Sequence, residues 1–481
     1  MAGAAPIASG GALNASGASG KAGGSAASGA SGTAAGAGAL ATGGRVGTGG
    51  AAVNVAGSGA IICPTGKGDC DSNPNDCETD LTLITSCGKC NVACDPTHGA
   101  VKCDATTLTC VVNTDAGGCM TGYADCNKNG TDGCEASLAT DANNCGVCGR
   151  NCGGGKCTSS QCGGAIVFDP TGATTLSYSY SAPAFLVGSQ IIKLNTTNGT
   201  EIRTSTLPPT NPVSQGSVLA TSTTAVYEMA VDATNVYYSI SGSPAAILYK
   251  PLSATASTAA KTAVNMPDTN YARSIASNST AFYVAAAASG GQQILTAAKT
   301  LGAQAATATP LPGITGRSTI DSLVIGGSYL FWVESPNMVV AAPLGGGTPV
   351  VVDATIQNGY YSYVRLTTDG SYLYWNTYNG ASSKIRRLSL AAAPSSAAVE
   401  DVAIGINNPS TGIAVDDAYV YFFSSYQVYR VVKDGSQSVE SLANLNSSPY
   451  FYNLFAVDAE YVYGLGYSGQ VVRVTKGTLS Q

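Results

Sequence analysis

The segment Val415-Asp416-Asp417-Ala418-Tyr419-Val420-Tyr421-Phe422 decides the fold, because related segments recur through the carboxyl-terminal part of the chain. Copies of it lie at Asp232, Asp369 and Asp458, and weaker ones run from Ser277 to Tyr283 and from Gly326 to Trp332. Successive copies are 42 to 49 residues apart. Each places a short turn before a strand-like alternation of side chains.

A period of about 40–50 residues filled with short strands predicts an all-β fold, a β-propeller with one four-stranded sheet per blade. The segment from Ala184 to Leu194 is a degenerate earlier copy, which favours seven blades. Six blades, with residues 164–222 as a separate cap, is the alternative. The last copy has room for only three strands before Gln481. We expect the strand Ala165-Ile166-Val167-Phe168 to complete it and close the ring, because closure leaves no long unpaired edge.

All sixteen cysteines lie between Cys63 and Cys162, in two sets of eight with similar spacing. The first set is Cys63, Cys70, Cys77, Cys87, Cys90, Cys94, Cys103 and Cys110; the second is Cys119, Cys126, Cys134, Cys145, Cys148, Cys152, Cys157 and Cys162. An even number at this density predicts disulfides and an oxidising, extracellular or cell-surface location. The connectivity stays open, since eight cysteines allow about 105 pairings.

Composition divides the chain into four segments. Residues 1–60 are a low-complexity tail rich in Gly, Ala and Ser, expected to be a flexible linker or a segment that orders against neighbouring subunits. Residues 61–112 and 113–163 form two small disulfide-rich modules, in which crosslinks replace a large core. Residues 164–481 form the propeller. The first residues lack a signal peptide pattern, so we expect a mature chain or a fragment.

Charge argues against several classes of partner. Charged residues are 11% of the chain and the net charge is -6, with no basic block, so nucleic acid is not expected as a partner. No apolar run reaches the roughly 18 residues of a membrane span.

Oxygen-bearing side chains at alternate positions suggest calcium loops in both modules. The candidate ligands are Asp69, Asp71 and Asn73 in the first module and Asp125, Asn127 and Asn129 in the second. Calcium prefers such ligands, but Ala136 occupies the place of the acidic twelfth residue of an EF-hand. The same residue types also form ordinary turns, and that alternative stays open. The Cys87-x-x-Cys90-x-x-x-Cys94 spacing suits zinc, although disulfides are the favoured interpretation.

Within the propeller, the recurrent Asp232, Asp369, Asp416 and Asp458 are predicted to accept hydrogen bonds from turn amides. His98 is the only histidine and lies among the cysteines, so a Ser-His-Asp site in the propeller would require it to reach across. A paired-carboxylate site stays open, with candidate acids Asp321, Glu334, Asp353, Glu400 and Asp401.

The blade motif resembles the Asp-x-x-x-Val-Tyr-Trp kind of motif in secreted propellers common in myxobacteria and related bacteria and, more distantly, the low-density-lipoprotein-receptor type of propeller. Only Trp332 and Trp375 place tryptophan in the aromatic pair that follows. The Asp-Cys-Asp, Cys-Glu and Cys-Gly-x-Cys-x-x-x-Cys motifs resemble cysteine-rich repeats that precede such propellers. This resemblance implies an exported protein of the same architecture.

These observations predict a non-catalytic extracellular or cell-surface binding or structural protein. The propeller would contact a protein, a glycan or other copies of the chain, with filament assembly as one form of this, and the modules would act as a stalk. No cofactor is expected, and calcium is the one candidate ion. The alternative is a propeller enzyme, a hydrolase or lyase acting on polysaccharide.

Overall fold

The computed structural model describes residues 62–71, 76–168, 184–195, 199–207, 216–242, 244–266, 271–288, 290–302, 304–335, 338–356, 364–377, 382–407, 409–445, 451–466 and 470–476. These residues form two compact units. The smaller unit contains residues 62–151 and 157–161. The larger contains Cys152–Lys156 and the chain from Cys162 onward, so the last disulfide of the second cysteine set belongs to the propeller unit.

The cysteine-rich region has little regular structure, and its short strands form hairpins within each repeat. Its strands are Lys67–Gly68, Thr79–Asp80, Val101–Asp104, Thr109–Val112, Tyr123–Ala124, Ala136–Ser137, Cys157–Thr158 and Gln161–Cys162, and a 3-10 turn spans Thr114–Ala116. Lys67–Gly68 pairs with Thr79–Asp80, and Tyr123–Ala124 pairs with Ala136–Ser137, so the two repeats fold alike.

All sixteen cysteines form disulfides, as predicted, and the two repeats share one connectivity. The bonds join the first cysteine of each set to the third, the second to the fifth, the fourth to the seventh and the sixth to the eighth. They are Cys63–Cys77, Cys70–Cys90, Cys87–Cys103 and Cys94–Cys110, then Cys119–Cys134, Cys126–Cys148, Cys145–Cys157 and Cys152–Cys162. With each thiol in a disulfide, the zinc-like spacing has a structural explanation.

The remaining strands form seven antiparallel sheets, the blades of a propeller. Blade 1 is Ala184–Val187, Gln190–Leu194, Glu201–Thr206 and Ser217–Thr221; blade 2 is Val226–Val231, Asn235–Ile240, Ala245–Pro251 and Lys261–Met266; blade 3 is Ala272–Ser277, Ala281–Ala288, Gly291–Ala298 and Thr309–Pro310; blade 4 is Ile320–Gly326, Tyr329–Glu334, Met338–Pro343 and Val350–Asp353. Ala306–Thr307 adds a parallel fifth strand to blade 2.

Blades 5 to 7 complete the ring. Blade 5 is Thr367–Thr368, Tyr372–Asn376, Ser383–Ser389 and Val399–Ile406, with a 3-10 turn at Ser396–Ala398; blade 6 is Pro409–Val415, Tyr419–Ser424, Gln427–Val432 and Glu440–Asn444; blade 7 is Phe451–Val457, Tyr461–Gly466, Val471–Thr475 and Ala165–Phe168. The last strand pairs with Val471–Thr475, as the sequence predicted. Seven blades are therefore confirmed over six.

Apolar side chains fill every interface between blades, because both faces of each sheet meet a neighbour. Seven buried clusters each join two consecutive blades. The cluster of blades 7 and 1 contains Phe168 and Tyr463 beside Leu186 and Ile191. Closure thus rests on packing as well as on the added strand.

Candidate binding site at the channel end of the propeller

The first strand of each blade is its inner strand, and these strands surround the central channel. Inner strands of consecutive blades contact one another from blade 2 to blade 7, and that of blade 7 contacts blade 1. The recurrent aspartates follow the inner strands, so residues at the starts of these strands lie at the opposite end of the ring. We call this opposite end the channel end.

Bulges interrupt the inner strands close to the channel end. The pairing register with the second strand shifts between Val226 and Met229, between Ala272 and Ser274 and between Asp321 and Val324 in blades 2, 3 and 4. A bulge redirects the side chains around it. Glu228, Arg273 and Asp321 lie in or beside these bulges, four or five residues before the turn residue of their blade.

Three charged residues of the inner strands, Glu228, Arg273 and Asp321, and Arg365, which precedes the inner strand of blade 5, interact near this end. The Arg273 Nε atom lies 3.2 Å from Asp321 Oδ1 and joins blades 3 and 4. Arg365 of blade 5 lies at the position that Glu228 has in blade 2 and interacts electrostatically with that carboxylate. Arg365 is partly buried and has no ion pair or hydrogen bond with the residues that the structure describes. Of these two arginines, Arg273 is thus in an ion pair with a described residue and Arg365 is not.

Glu228 is the most perturbed acid of the channel end. Burial in the channel wall raises its pKa to about 7, and the negative charge of Asp321 adds to the rise. The positive charge of Arg365 and a hydrogen bond from the Met229 amide to Glu228 Oε1, at 2.9 Å, oppose it without cancelling it. Glu228 therefore changes its charge near neutral pH.

Two tyrosines form an aromatic platform beside these charges. The rings of Tyr227 and Tyr271 stack with centroids 5.1 Å apart and an interplanar angle of 25°. Tyr227 is 48% exposed, although large aromatic side chains are usually buried. It immediately precedes Glu228, and Tyr271 lies two residues before Arg273. An exposed aromatic ring thus directly precedes Glu228 in the inner strand of blade 2.

The recurrent aspartates have the structural role that the sequence predicted. In blades 2, 5, 6 and 7 the aspartate Oδ1 accepts two turn amides at 2.7 to 3.0 Å. The Oδ2 atom accepts the hydroxyl of the tyrosine five residues later, at 2.5 to 3.1 Å. Burial alone would raise the pKa of Asp232, but hydrogen bonds from Tyr237, Thr234 and Lys299 hold it at about 2.

A lysine from the following blade completes three of these clusters. Lys299 Nζ lies 3.0 Å from Asp232 Oδ2, and Lys433 and Lys476 pair with Asp369 and Asp416 in the same way. In every blade the residue at the lysine position donates its backbone amide to the preceding turn; it is Leu207, Leu252, Lys299, Leu344, Leu390, Lys433 and Lys476 in blades 1 to 7. Sequence reasoning missed this position, although its spacing from the blade motif would have revealed it.

The five acids considered for a paired-carboxylate site each form an ion pair with an arginine. The pairs are Asp321–Arg273, Glu334–Arg317, Asp353–Arg386, Glu400–Arg387 and Asp401–Arg386. Indole groups also bind two of these acids: Trp332 donates to Glu334 at 3.1 Å and Trp375 donates to Asp353 at 2.8 Å. Glu334 and Asp353 thus serve mainly to hold their blades together.

The calcium candidates differ between the two repeats. In the first, oxygen atoms of Asp69, Asp71, Asp76 and Glu78 lie within 4.8 Å of one another, whereas Asn73 falls outside the described residues. Glu78 Oε1 also accepts the Cys70 amide at 2.8 Å. Carboxylates this close offer an oxygen-rich set suited to calcium.

In the second repeat the candidate ligands form hydrogen bonds with each other and with the loop. The Asn129 amide donates to Asp125 Oδ1 at 3.1 Å and to Asn127 Oδ1 at 2.7 Å, and the Asn127 side chain donates to Asp132 at 2.9 Å. These are the bonds of ordinary turns. Calcium binding stays a prediction, with the first repeat as its better candidate.

The described contacts of the His98 ring lie within the disulfide-rich unit. Its ring stacks on Tyr123 with centroids 3.7 Å apart and an interplanar angle of 8°. Both residues belong to the disulfide-rich unit.

The fold defines a class: a seven-bladed β-propeller preceded by a disulfide-rich region. No protein-family model matches the chain, and no curated protein matches it. Among the described residues, no helix has both the length and the hydropathy needed to cross a membrane.

Solved structures resemble the chain at low identity and with TM-scores below 0.5. The WD40 propeller domain of Doa1 has a TM-score of 0.44 and 9% identity, covering 66% of this chain and 98% of that one. Virginiamycin B lyase from Staphylococcus aureus has a TM-score of 0.42 and 13% identity, covering 62% and 97%. A structure of the nidogen/laminin complex has a TM-score of 0.35 and 15% identity, covering 51% and 92%. These likenesses concern the fold alone.

Proposed function

We propose that the protein is a non-catalytic binding protein of the extracellular space or cell surface. The observation that carries the proposal is the channel end, where an exposed tyrosine platform adjoins charged side chains of the inner strands. Aromatic rings with open faces and nearby polar groups are typical of contact sites for sugars and proteins. The eight disulfides support an oxidising location.

In this proposal the propeller contacts the ligand, and the disulfide-rich modules serve as a stalk. Crosslinks at this density keep a small domain folded outside the cell, where a larger core would otherwise be needed. Self-association into a filament is a form of the same proposal, since a head-to-tail contact that does not close gives a fibre.

The test is to screen the oxidised full-length chain against immobilised glycans and cell-surface extracts. Saturable binding that Tyr227→Ala weakens supports the proposal. Binding that is unaffected by Tyr227→Ala would show that the contact lies away from the channel end. An absence of binding to both glycans and cell-surface extracts would overturn the proposal. Light scattering and negative-stain microscopy of the same sample measure self-association.

A polysaccharide-acting enzyme is the second candidate, and Glu228 is the observation that favours it. A carboxyl group with a pKa of about 7 is suited to general acid catalysis, and the Asp321 carboxylate is close enough to act electrostatically on it. Release of reducing or unsaturated sugar ends that Glu228→Gln abolishes would establish the enzyme. Intact polysaccharide after prolonged incubation would exclude that activity for the substrates tested.

A further inference from the structure

We propose that the channel end binds an acidic saccharide, a glycan whose sugar units carry carboxylates, with Arg365 contacting the carboxylate and Tyr227 stacking on a sugar ring. This inference rests on the proposed binding function and names the chemical class of the ligand. A uronic acid unit combines a negative group, several hydroxyls and an apolar ring face. The channel end offers a counterpart for each.

Arg365 supplies the anion contact. A guanidinium binds a carboxylate through two parallel N–H···O bonds, which is the strongest polar pairing available to the side chain. Among the charged groups described near the channel end, Arg273 already pairs with Asp321 at 3.2 Å, whereas Arg365 forms no such pair. Arg365 is partly buried, so a bound carboxylate would be shielded from water and the interaction strengthened.

Tyr227 supplies the contact with the ring. Its 48% exposure leaves one face open, while Tyr271 stacks on the other and holds it in place. An aromatic side chain fixed in this way loses little conformational entropy on binding. The sugar ring would lie on Tyr227 while its carboxylate reaches the inner strands, where Glu228 and Asp321 can bind hydroxyls.

The charge of the channel end matches an anion best when Glu228 is neutral. With Glu228 ionised, Glu228 and Asp321 balance Arg273 and Arg365; with Glu228 protonated, one positive charge remains. The charged groups that act on Glu228 are Arg365 and Asp321, both from other blades. The sugar carboxylates are ionised at both pH 5.5 and pH 8. We therefore expect acidic saccharides to bind more tightly at pH 5.5 than at pH 8.

The test is calorimetric titration of the oxidised full-length chain with tetragalacturonic acid and with its fully methyl-esterified form. We expect binding of the acid and at least 10-fold weaker binding of the ester. Arg365→Met should weaken binding of the acid about 10- to 100-fold, as expected for loss of a charge-assisted pair. Arg365→Lys keeps the charge and should lose part of the affinity. Lys261→Met, which removes an exposed cation from the outer strand of blade 2, is the matched control and should bind as the parent does.

Two further variants test the remaining contacts. Tyr227→Phe should retain binding within about 2-fold, whereas Tyr227→Ala should weaken it about 10-fold because the stacking face is lost. Glu228→Gln should bind at pH 8 as tightly as the parent does at pH 5.5. Unchanged melting temperatures for the Arg365 and Tyr227 variants show that the effects arise at the site.

The outcomes separate this inference from the proposed function. Equal binding of the acid and its ester, or binding unaffected by Arg365→Met, overturns the acidic-saccharide assignment and leaves a binding protein for another ligand. Binding of a poly-glutamate peptide through Arg365, without binding of any acidic glycan on an array, overturns the saccharide class in favour of an acidic peptide. Failure of the broader screen overturns the proposed function itself.

Discussion

The Lys476 ammonium of blade 7 lies 2.6 Å from Asp416 Oδ2 of blade 6, and it also donates to the Asp458 carbonyl at 2.8 Å. Both side chains of the ion pair are 16% exposed. Burial alone would raise the pKa of Asp416, but hydrogen bonds from Lys476 and Tyr421 outweigh burial and lower it. One lysine thus links two consecutive turns across a blade interface.

Replacing Lys476 with methionine should destabilise the propeller by about 2 kcal/mol, between the values of exposed and fully buried pairs. The loss arises because Asp416 keeps its charge in a partly buried position without its cation. Thermal unfolding at pH 7 measures the change. The double variant Asp416→Asn with Lys476→Met should recover part of it, since no unpaired charge remains.

Lys102→Met is the matched control for this pair. Its partner Asp115 is 85% exposed at the side chain, so we expect a change below about 0.5 kcal/mol. An equal loss in both variants would contradict the role assigned to the interblade pair.

Glu228→Gln should make stability less dependent on pH. A raised pKa means that the folded chain holds a proton more tightly than the unfolded chain, so the contribution of Glu228 is most favourable below about pH 4.5 and is lost as the pH rises through 7. At pH 8 the free energy of unfolding of the variant should exceed that of the parent by on the order of 1–3 kcal/mol. Near pH 4.5 the two free energies should match.

Melting temperatures of the two proteins across this pH range measure the effect. The exposed Glu460→Gln serves as the control and should not alter the pH profile. A constant difference between Glu228→Gln and the parent at every pH would show that the carboxyl group titrates as it does in the unfolded chain.

Gly412→Ala should be strongly destabilising. A Cβ atom at Gly412 would lie 1.7 Å from Asn453 Oδ1 and 2.0 Å from the Leu454 carbonyl, so the inner strands of blades 6 and 7 would have to separate. We expect a loss of about 3 kcal/mol in chemical unfolding, at the upper end for overpacking. At Gly345 a Cβ atom would meet nothing within 4 Å, and Gly345→Ala should be nearly neutral.

Peptide mapping of the unreduced chain should yield eight crosslinked pairs with the same connectivity in both repeats. Thiol alkylation before reduction should label no cysteine. Bound zinc or iron in freshly isolated protein, or labelled thiols, would contradict the oxidising location.

Calcium titration tests the first repeat. The prediction is a binding heat at millimolar calcium, in the range of extracellular modules, that Asp71→Asn combined with Asp76→Asn removes. Asp132→Asn in the second repeat is the control and should leave the heat unchanged. The absence of any heat would leave these residues as turn formers.

The blade count, the closing strand and the turn aspartates could all be predicted from the sequence, because a repeated motif reports the same local structure several times. Asp416 shows why: two turn amides and a tyrosine hydroxyl need one carboxylate at a fixed distance along the chain. Sequence spacing contains that information directly.

The channel end could not be predicted in the same way. Tyr227, Arg273 and Arg365 come from different blades, and the bulges of blades 2 and 3 break the alternation that tells inward from outward positions. The disulfide connectivity was hidden for a related reason, because spacing alone does not tell which cysteines approach one another. Both the channel end and the disulfide connectivity depend on which residues approach one another in three dimensions.

The strand Ala165–Phe168 precedes the other strands of the propeller in the sequence, whereas its partner Val471–Thr475 follows all the strands of blades 1 to 6. The strands of blades 1 to 6 are therefore synthesised before Ala165–Phe168 can pair with Val471–Thr475. Until these two strands pair, the edge of Ala165–Phe168 stays exposed. A chain that ends before Val471 would lack the strand that pairs with Ala165–Phe168, and it would expose an unpaired strand edge. The ring therefore closes only in a chain that contains all seven blades.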